Sequence, residues 1–311
     1  MLFFPLPDAA VRQYIDSNTV FQEWLRVRAQ AGKYSGGMYF KKQGDYEYLV
    51  KTNLRNRQQR IGPRSLETEN IHATFHAAKD QVQTRLDAIS QELKTCERLN
   101  KAVQVGRVPN TVVDILQKLQ ALGLHEHFVV VGTHALYAYE AAASVRMVAS
   151  ALATQDIDLL WDARKRVRFV ADMDQLGLSM LDILQQVDKS FERKEGQNET
   201  AINAQGFEVD FLRRQAMDGD PHPFRLSADE GDLWPVQALR AHVLTSAPVF
   251  EQMVVASTGR MALMRTVAPV DFVAFKKWLA LQTQRDAGKR RRDATQAEMV
   301  QGLLDEGLLL G

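Results

Sequence analysis

The stretch TQDIDLLW, residues 154–161, decides how the rest of the chain is interpreted. It is apolar enough for a buried strand, yet it carries two carboxylates, Asp156 and Asp158. Because side chains alternate between the faces of a strand, both carboxylates project to one side and Ile157 to the other. Adjacent carboxylates repel each other and resist desolvation unless a cation lies between them. The stretch therefore predicts a metal site on a central strand.

A second acidic strand is predicted at residues 207–212, FEVDFL, with Asp210 near its centre and Glu208 on the same face. If this strand pairs beside the first, Asp210 joins Asp156 and Asp158. Three carboxylates can bind two divalent ions, which stabilise the attacking and leaving oxygens of a phosphoryl displacement. Mg²⁺ prefers such oxygen ligands. We therefore predict these three aspartates as catalytic residues and as ligands of two Mg²⁺ ions, with Mn²⁺ as an alternative, and Asp210 also as a proton acceptor.

A Gly-Thr turn precedes the acidic strands. Residues 128–131 read as a short buried strand, and an Ala-rich helix is predicted over residues 134–143. Glycine permits a tight turn and close approach by a phosphate, and the N-terminus of a helix offers free N–H groups. Gly132 and Thr133 could therefore contact a phosphate, and the family resemblance described next implies that they contact a nucleotide; the simpler interpretation is a helix N-cap.

The order of these motifs resembles the nucleotidyltransferase superfamily of DNA polymerase β. The segments VGTHALYAYE (131–140), SFER (190–193) and DFVAFKKWL (271–279) further resemble a bacterial family of nucleotidyltransferase-like proteins. Gln155 departs from the superfamily pattern, which has an apolar residue there. The resemblance implies an α+β fold with a small mixed sheet and helices, and transfer of a nucleoside monophosphate from a nucleoside triphosphate to an acceptor, with release of pyrophosphate.

Three further residues are predicted to bind nucleotide. Arg146 lies between the Gly-Thr helix and the acidic strand, where it could meet a triphosphate or be a solvated loop residue. The resemblance implies that Lys276 contacts phosphates, and that the basic run 289–292 and Asp293 line the opening of the site. Asp293 could instead cap the last helix.

The chain divides into three predicted modules. Residues 1–105 form a helical and β-hairpin module with a long helix, residues 106–215 form the nucleotidyltransferase core, and residues 216–311 form a mainly helical module that closes over the nucleotide. Helices are predicted over 8–32, 71–96, 270–284 and 293–304, and hairpins over 38–50 and 250–266.

Composition excludes several classes of protein. The one cysteine excludes an internal disulfide and a thiolate-built metal site, and it fits a reducing cytoplasmic location. No apolar run reaches the length of about 18 residues that a membrane span needs, so no membrane partner is expected. The net charge of +1 indicates no partner by itself.

One segment is locally basic. Residues 33–64 carry eight basic residues against two acidic ones, with Tyr39, Tyr46 and Tyr48 interleaved. Such a hairpin could bind RNA or DNA, although an ordinary surface hairpin is the simpler interpretation.

The partners implied are a nucleoside triphosphate and an acceptor, either a tRNA or other RNA end or a protein. An antitoxin partner and a homodimer both stay open. The alternative function is a catalytically silent nucleotide-binding or nucleic-acid-binding protein on the same fold.

Overall fold

The computed structural model describes residues 2–53, 57–217 and 219–310. Its helices, in chain order, are α1 Asp8–Lys33, α2 Leu66–Ala102, α3 Asn110–Ala121, α4 Leu136–Ala142, α5 Ala149–Leu152, α6 Arg166–Leu176, α7 Met180–Gln185, α8 Ala241–Ser246, α9 Pro269–Ala280 and α10 Ala287–Asp305. Its strands are β1 Phe3–Pro5, β2 Met38–Gln43, β3 Tyr46–Thr52, β4 Gln58–Pro63, β5 Phe128–Val131, β6 Val145–Met147, β7 Asp156–Trp161, β8 Glu192–Arg193, β9 Thr200–Ile202, β10 Glu208–Arg213, β11 Val236–Gln237, β12 Val249–Val255 and β13 Met261–Val267. The mixture confirms the predicted α+β class.

The chain forms two compact units, one of residues 12–103 and one of residues 1–11 together with 104–311. The junction at 103/104 lies two residues from the boundary predicted at 105. The predicted division between 106–215 and 216–311 is bridged by one hydrophobic core, which runs from Val108 to Leu309.

The unit of residues 12–103 contains a three-stranded antiparallel sheet, β2-β3-β4, packed against α2. Met38, Leu49 and Phe75 form its small core. The predicted hairpin is confirmed, whereas β4 was not expected, because its Gly-Pro end resembles a turn. Helix α2 starts at Leu66, earlier than predicted, because Ser65 caps it by accepting a hydrogen bond from the Thr68 N–H.

The larger unit is built on a mixed sheet with the strand order β5-β7-β10-β9-β8, and β11 pairs with β10. Strands β7 and β10 are parallel to each other, while β5 and β9 run antiparallel to their neighbours. The apolar side chains of β7 and β10 that alternate with the acids point into the core, where Trp161 and Phe211 are buried. This alternation follows from the period of two along a strand.

The predicted hairpin over 250–266 is present as β12 and β13, and it packs against β5. The Thr266 hydroxyl donates to the Val130 carbonyl at 2.7 Å, and the Tyr139 hydroxyl donates to the Val267 carbonyl at 2.7 Å. These buried contacts explain why the two predicted modules share one core.

Two helix predictions shift at their ends. Helix α9 stops at Ala280 rather than 284, and α10 begins at Ala287 rather than 293. The reason is the N-cap Asp286, which accepts a hydrogen bond from the Lys289 N–H at 2.9 Å. The basic run therefore lies within the first turns of α10. No helix in the described part of the chain is long and apolar enough to cross a membrane.

Candidate active site

The parallel pairing of β7 and β10 brings the three predicted catalytic aspartates together. In the register of the two strands, Asp210 lies beside Asp158 and Glu208 lies beside Asp156. One carboxylate oxygen from each of Asp156, Asp158 and Asp210 lies within 4.8 Å of the other two. Residues that are 52 positions apart in sequence thus converge on one face of the sheet.

Neighbouring side chains orient two of these carboxylates. The Thr200 hydroxyl, from β9, donates to Asp210 Oδ1 at 2.5 Å. The Thr154 hydroxyl donates to Asp156 Oδ1. Each contact fixes one oxygen of a carboxylate.

Burial and the charges of neighbouring acids act together on the carboxylates of the trio. Burial, and then the charges of Asp156 and Asp210, raise the pKa of Asp158 to about 7. Burial also raises the pKa of Asp210, although the Thr200 hydroxyl opposes the shift. A cation held among the three would reverse these shifts, because an opposite charge favours the ionised form.

The donor set fits divalent ions. All three side chains are half-buried and keep access to a cavity, and all three supply hard oxygen ligands. Across residues 2–53, 57–217 and 219–310, this is the one cluster of three acidic, histidine or cysteine side chains with such spacing. The trio could therefore hold metal ions.

Gly132 lies directly against the trio. Its φ angle is +69°, in the left-handed region, and a Cβ atom at this position would lie 2.1 Å from Asp158 Oδ2. Glycine is therefore required both by the backbone and by the neighbouring carboxylate.

The chain continues from Gly132 as a 3₁₀ turn, Gly132–Ala135, which leads into α4. The Thr133 side chain caps neither helix. Its hydroxyl instead accepts a hydrogen bond from Gln296 Nε2 of α10 at 3.1 Å, and the same amide donates to the Ala151 carbonyl at 2.7 Å. Helix α10 thus positions the Gly-Thr turn beside the acids.

A cavity of about 730 Å³ opens between the Gly-Thr turn and α9. The acids form one wall, and Phe275 and Trp278 contribute aromatic rings. These two rings are half-buried, because the face of α9 that carries them meets the cavity. The cationic side chains that line the cavity are Lys276, Arg285, Lys289 and Arg292.

Lys276 and Asp293 form a buried ion pair behind this cavity. Lys276 Nζ lies 2.8 Å from Asp293 Oδ1, and Arg285 Nε donates to Asp293 Oδ2 at 2.7 Å. Only 4% of Lys276 and 1% of Asp293 is exposed. Burial lowers the pKa of Lys276, while Asp293 and then Asp158 oppose the shift. The alternative role of Asp293 as a helix cap is wrong, since Asp286 is the cap; Asp293 holds two cations instead.

A second cavity, of about 560 Å³, reaches the acids from the β8–β9 side of the sheet. It shares Asp156 and Asp210 with the first cavity, and its lining is mostly polar. Lys194 and Glu208 form an ion pair of 2.6 Å in its wall. Its other polar lining residues are Gln155, Gln197, Glu199, Thr200, Lys289 and Arg292.

Arg146 is not brought to either cavity. Its guanidinium donates to Glu140 Oε1 at 3.0 Å and to the Val105 carbonyl at 2.9 Å. Glu140 is 2% exposed and also pairs with Arg107. The contacts of Arg146 therefore hold β6 and the segment before α3 rather than a ligand.

Gln296, Thr200 and Arg285 are among the residues of the site that were not predicted from the sequence. Gln296 could have been predicted, because it lies three residues after Asp293 and therefore on the same face of α10. No sequence pattern indicates Thr200 or Arg285, since their roles depend on which strands pair and on how α9 and α10 pack.

Comparison with known proteins agrees with this geometry. A family described as nucleotidyltransferase matches residues 110–309, more than half of the chain. The chain belongs to this nucleotidyltransferase family. It is therefore a nucleotidyltransferase enzyme, and family membership implies a nucleoside triphosphate as substrate. Searches of curated proteins and of solved structures gave no match.

Proposed function

We propose that the protein transfers a nucleoside monophosphate from a nucleoside triphosphate to an acceptor hydroxyl, in a Mg²⁺-dependent reaction that releases pyrophosphate. The observation that carries the proposal is the parallel register of β7 and β10, which collects three carboxylates on one face of a mixed sheet beside a Gly-Thr turn. The sheet and the order of its acids resemble the DNA polymerase β superfamily, which supports a core of that type.

Divalent ions held by Asp156, Asp158 and Asp210 would neutralise charge at the reacting phosphate and stabilise the attacking and leaving oxygens. The protein itself contributes a positioned proton acceptor. Because Thr200 occupies one oxygen of Asp210, the other oxygen is left to take the proton of the acceptor hydroxyl.

The larger cavity is suited to the triphosphate. The missing side chain at Gly132 permits a phosphate to approach the backbone, and the Thr133 hydroxyl can donate to a phosphate oxygen while it accepts from Gln296. Lys276 and Arg285 present positive charge to the phosphates, and Trp278 offers a ring for the base. Asp293 fixes both cations from behind.

The smaller cavity is suited to the acceptor. It meets the larger one at Asp156 and Asp210, so an acceptor and a triphosphate would approach the acids from different sides. That arrangement suits displacement in line, in which the attacking oxygen enters opposite the departing pyrophosphate. We propose an RNA end, such as that of a tRNA, or a protein hydroxyl as the acceptor.

The test is label transfer. The protein is incubated with each of the four α-³²P-labelled nucleoside triphosphates, MgCl₂, and either total RNA or a protein lysate. We expect one acceptor pool to become labelled, with sensitivity to ribonuclease or to protease identifying the acceptor. We expect the protein to add no label from γ-³²P-labelled nucleotide beyond that of the acceptor pools alone, because that phosphate leaves in pyrophosphate.

Asp156→Asn and Asp158→Asn should abolish the labelling. A matched control is Asp162→Asn, which removes an acid just beyond the end of β7 that pairs with Arg164 outside the trio; this variant should label as the wild type does. Absence of transfer with all four nucleotides and both pools, or equal labelling by Asp158→Asn, would overturn the proposal.

A further inference from the structure

The unit of residues 12–103 lies outside the range that matches the nucleotidyltransferase family, so the catalytic site leaves its role unexplained. Its sheet has two different faces. Met38, Phe40 and Leu49 point toward Phe75 of α2 and form the covered face. Because side chains alternate along a strand, the residues between them point away from the helix.

This second face, here called the tyrosine face, is formed by Tyr39, Lys41, Tyr46, Tyr48 and Arg60. The strand register aligns them: Lys41 lies beside Tyr48, and Arg60 lies two strands away from Tyr39, in the same row. Tyr46 is 66% exposed and Tyr39 is 39% exposed.

The cations on this face are already close to the rings. The Arg60 guanidinium carbon lies 3.2 Å from the centre of the Tyr48 ring, and the ring centres of Tyr46 and Tyr48 are 6.5 Å apart. Lys41 Nζ donates to Gln58 Oε1 at 2.9 Å. The face is therefore a row of rings with positive charge beside them.

The acidic residues of the segment avoid this face. Glu47 points to the opposite side of the sheet, where it pairs with Arg64 at 2.6 Å, and Asp45 lies in the turn between β2 and β3. Among the described residues of the three strands, no carboxylate projects from the tyrosine face. Of the eight basic residues counted between positions 33 and 64, Arg55 lies outside the described residues.

We propose that the tyrosine face binds single-stranded RNA. Exposed tyrosine rings on an open sheet offer stacking surfaces for unpaired bases, and the flanking cations attract the phosphates. A paired duplex buries the faces of its bases, so it cannot use the rings in this way. The choice of RNA rests on the proposed function, because an RNA end supplies an acceptor hydroxyl.

The test is fluorescence anisotropy with a labelled 12-nucleotide RNA, in EDTA and without nucleotide, so that the catalytic site does not contribute. Tyr46→Ala and Tyr39→Ala should each weaken binding about fivefold or more. Tyr46→Phe should bind like the wild type, because the ring is kept. Lys41→Ala should reduce the slope of log Kd against log salt by about 0.7, the value for one phosphate contact to a single strand.

Controls separate binding from folding. Lys94→Ala removes an exposed cation from α2 and should leave affinity and slope unchanged. Circular dichroism and urea unfolding of the tyrosine variants should match the wild type, because the altered side chains are exposed.

Unchanged RNA affinity in Tyr46→Ala, or equal affinity for a double-stranded RNA, would overturn the proposal. Tighter binding of the corresponding single-stranded DNA would overturn the choice of RNA. A wild-type dimer that dissociates in Tyr46→Ala, measured by light scattering, would show that a second copy covers the face and would also overturn it. RNA binding without label transfer would instead count against the proposed function alone.

Discussion

Replacement of Asp158 by asparagine should stabilise the metal-free protein while it abolishes activity. In the wild type, burial and the neighbouring acids raise the pKa of Asp158 from an ordinary 3.8 to about 7. The unfolded chain therefore loses the Asp158 proton at a lower pH than the folded chain. Stability is lost as the pH rises from about 4 to about 7, and the loss stays constant above that range.

The size of this loss of stability follows from the pKa shift of Asp158. A difference of about three pKa units, at about 1.4 kcal/mol each, gives about 4 kcal/mol at pH 8. Because Asp158 keeps some access to the cavity, this figure is an upper bound. Asparagine has nearly the same shape as aspartate but carries no charge. Asp158→Asn should therefore recover most of the stability that the wild type loses at pH 8.

The assay is urea unfolding of both proteins in EDTA at pH 8 and at pH 4. We expect the variant to be more stable at pH 8, by up to about 4 kcal/mol, and the difference to fall below about 1 kcal/mol at pH 4, where the wild-type carboxyl is protonated in the folded chain and about 40% protonated in the unfolded chain. In the Asp162→Asn control, burial favours the neutral form but hydrogen bonds from Arg164 lower the pKa overall, so neutralisation should not stabilise. An Asp158→Asn protein that is less stable than the wild type at pH 8 would refute the reasoning.

Three further changes give measurable outcomes. Gly132→Ala should reduce label transfer at least about 100-fold, because the new Cβ displaces the adjacent carboxylate of Asp158. The control Gly177→Ala has a similar φ of +64° and no atom within 4 Å, so it should cost only about 1–2 kcal/mol of backbone strain in urea unfolding. Equal label transfer by the two variants would contradict this. Lys276→Met should lower stability by about 3 kcal/mol and raise the KM for the nucleoside triphosphate, since it breaks a buried ion pair with Asp293; an unchanged KM would remove Lys276 from the nucleotide site. Burial lowers the pKa of His134 from 6.5 to about 4, so the unfolded chain takes up the proton at a higher pH than the folded chain, and about 3 kcal/mol of stability should be lost as the pH falls from 6.5 to 4. His134→Phe should flatten this dependence of stability on pH, measured by thermal unfolding, and an unaltered dependence would contradict the prediction.

The acidic core of the site could be predicted from the sequence because its signal is local. Asp156 and Asp158 alternate with apolar residues, and this pattern fixes which face each side chain takes. The pairing of the second acidic strand with the first was a hypothesis that the register of Asp210 beside Asp158 supports. The Gly-Thr turn was likewise visible, since few residues other than glycine tolerate its backbone angle.

The rest of the site depends on contacts between distant elements. The packing of α10 against the Gly-Thr turn and α9 decides that Gln296 reaches Thr133 and that Arg285 reaches Asp293. The sequence predicts a helix over 270–284, but it could not show that the face carrying Trp278 borders a cavity. The same limit applies to the fold: β1 was not expected, because three residues carry no periodicity, and their partner β6 lies about 140 positions away.

Arg146 shows how a plausible position in sequence can mislead. It lies between the two motifs, as an arginine that binds phosphate would, yet the buried carboxylate of Glu140 attracts it. A buried acid needs a partner, and this requirement is visible only once the burial of Glu140 is known.

The most direct test of the account is a Mn²⁺ titration followed by electron paramagnetic resonance, in which free Mn²⁺ gives the signal and bound Mn²⁺ does not. We predict that the wild-type protein removes Mn²⁺ from solution in the presence of a nucleoside triphosphate, and that Asp158→Asn and Asp210→Asn each weaken this binding at least about tenfold, while Asp162→Asn leaves it unchanged. Equal Mn²⁺ binding by the wild type and the Asp210→Asn variant would contradict the claim that three carboxylates on two strands share the cations.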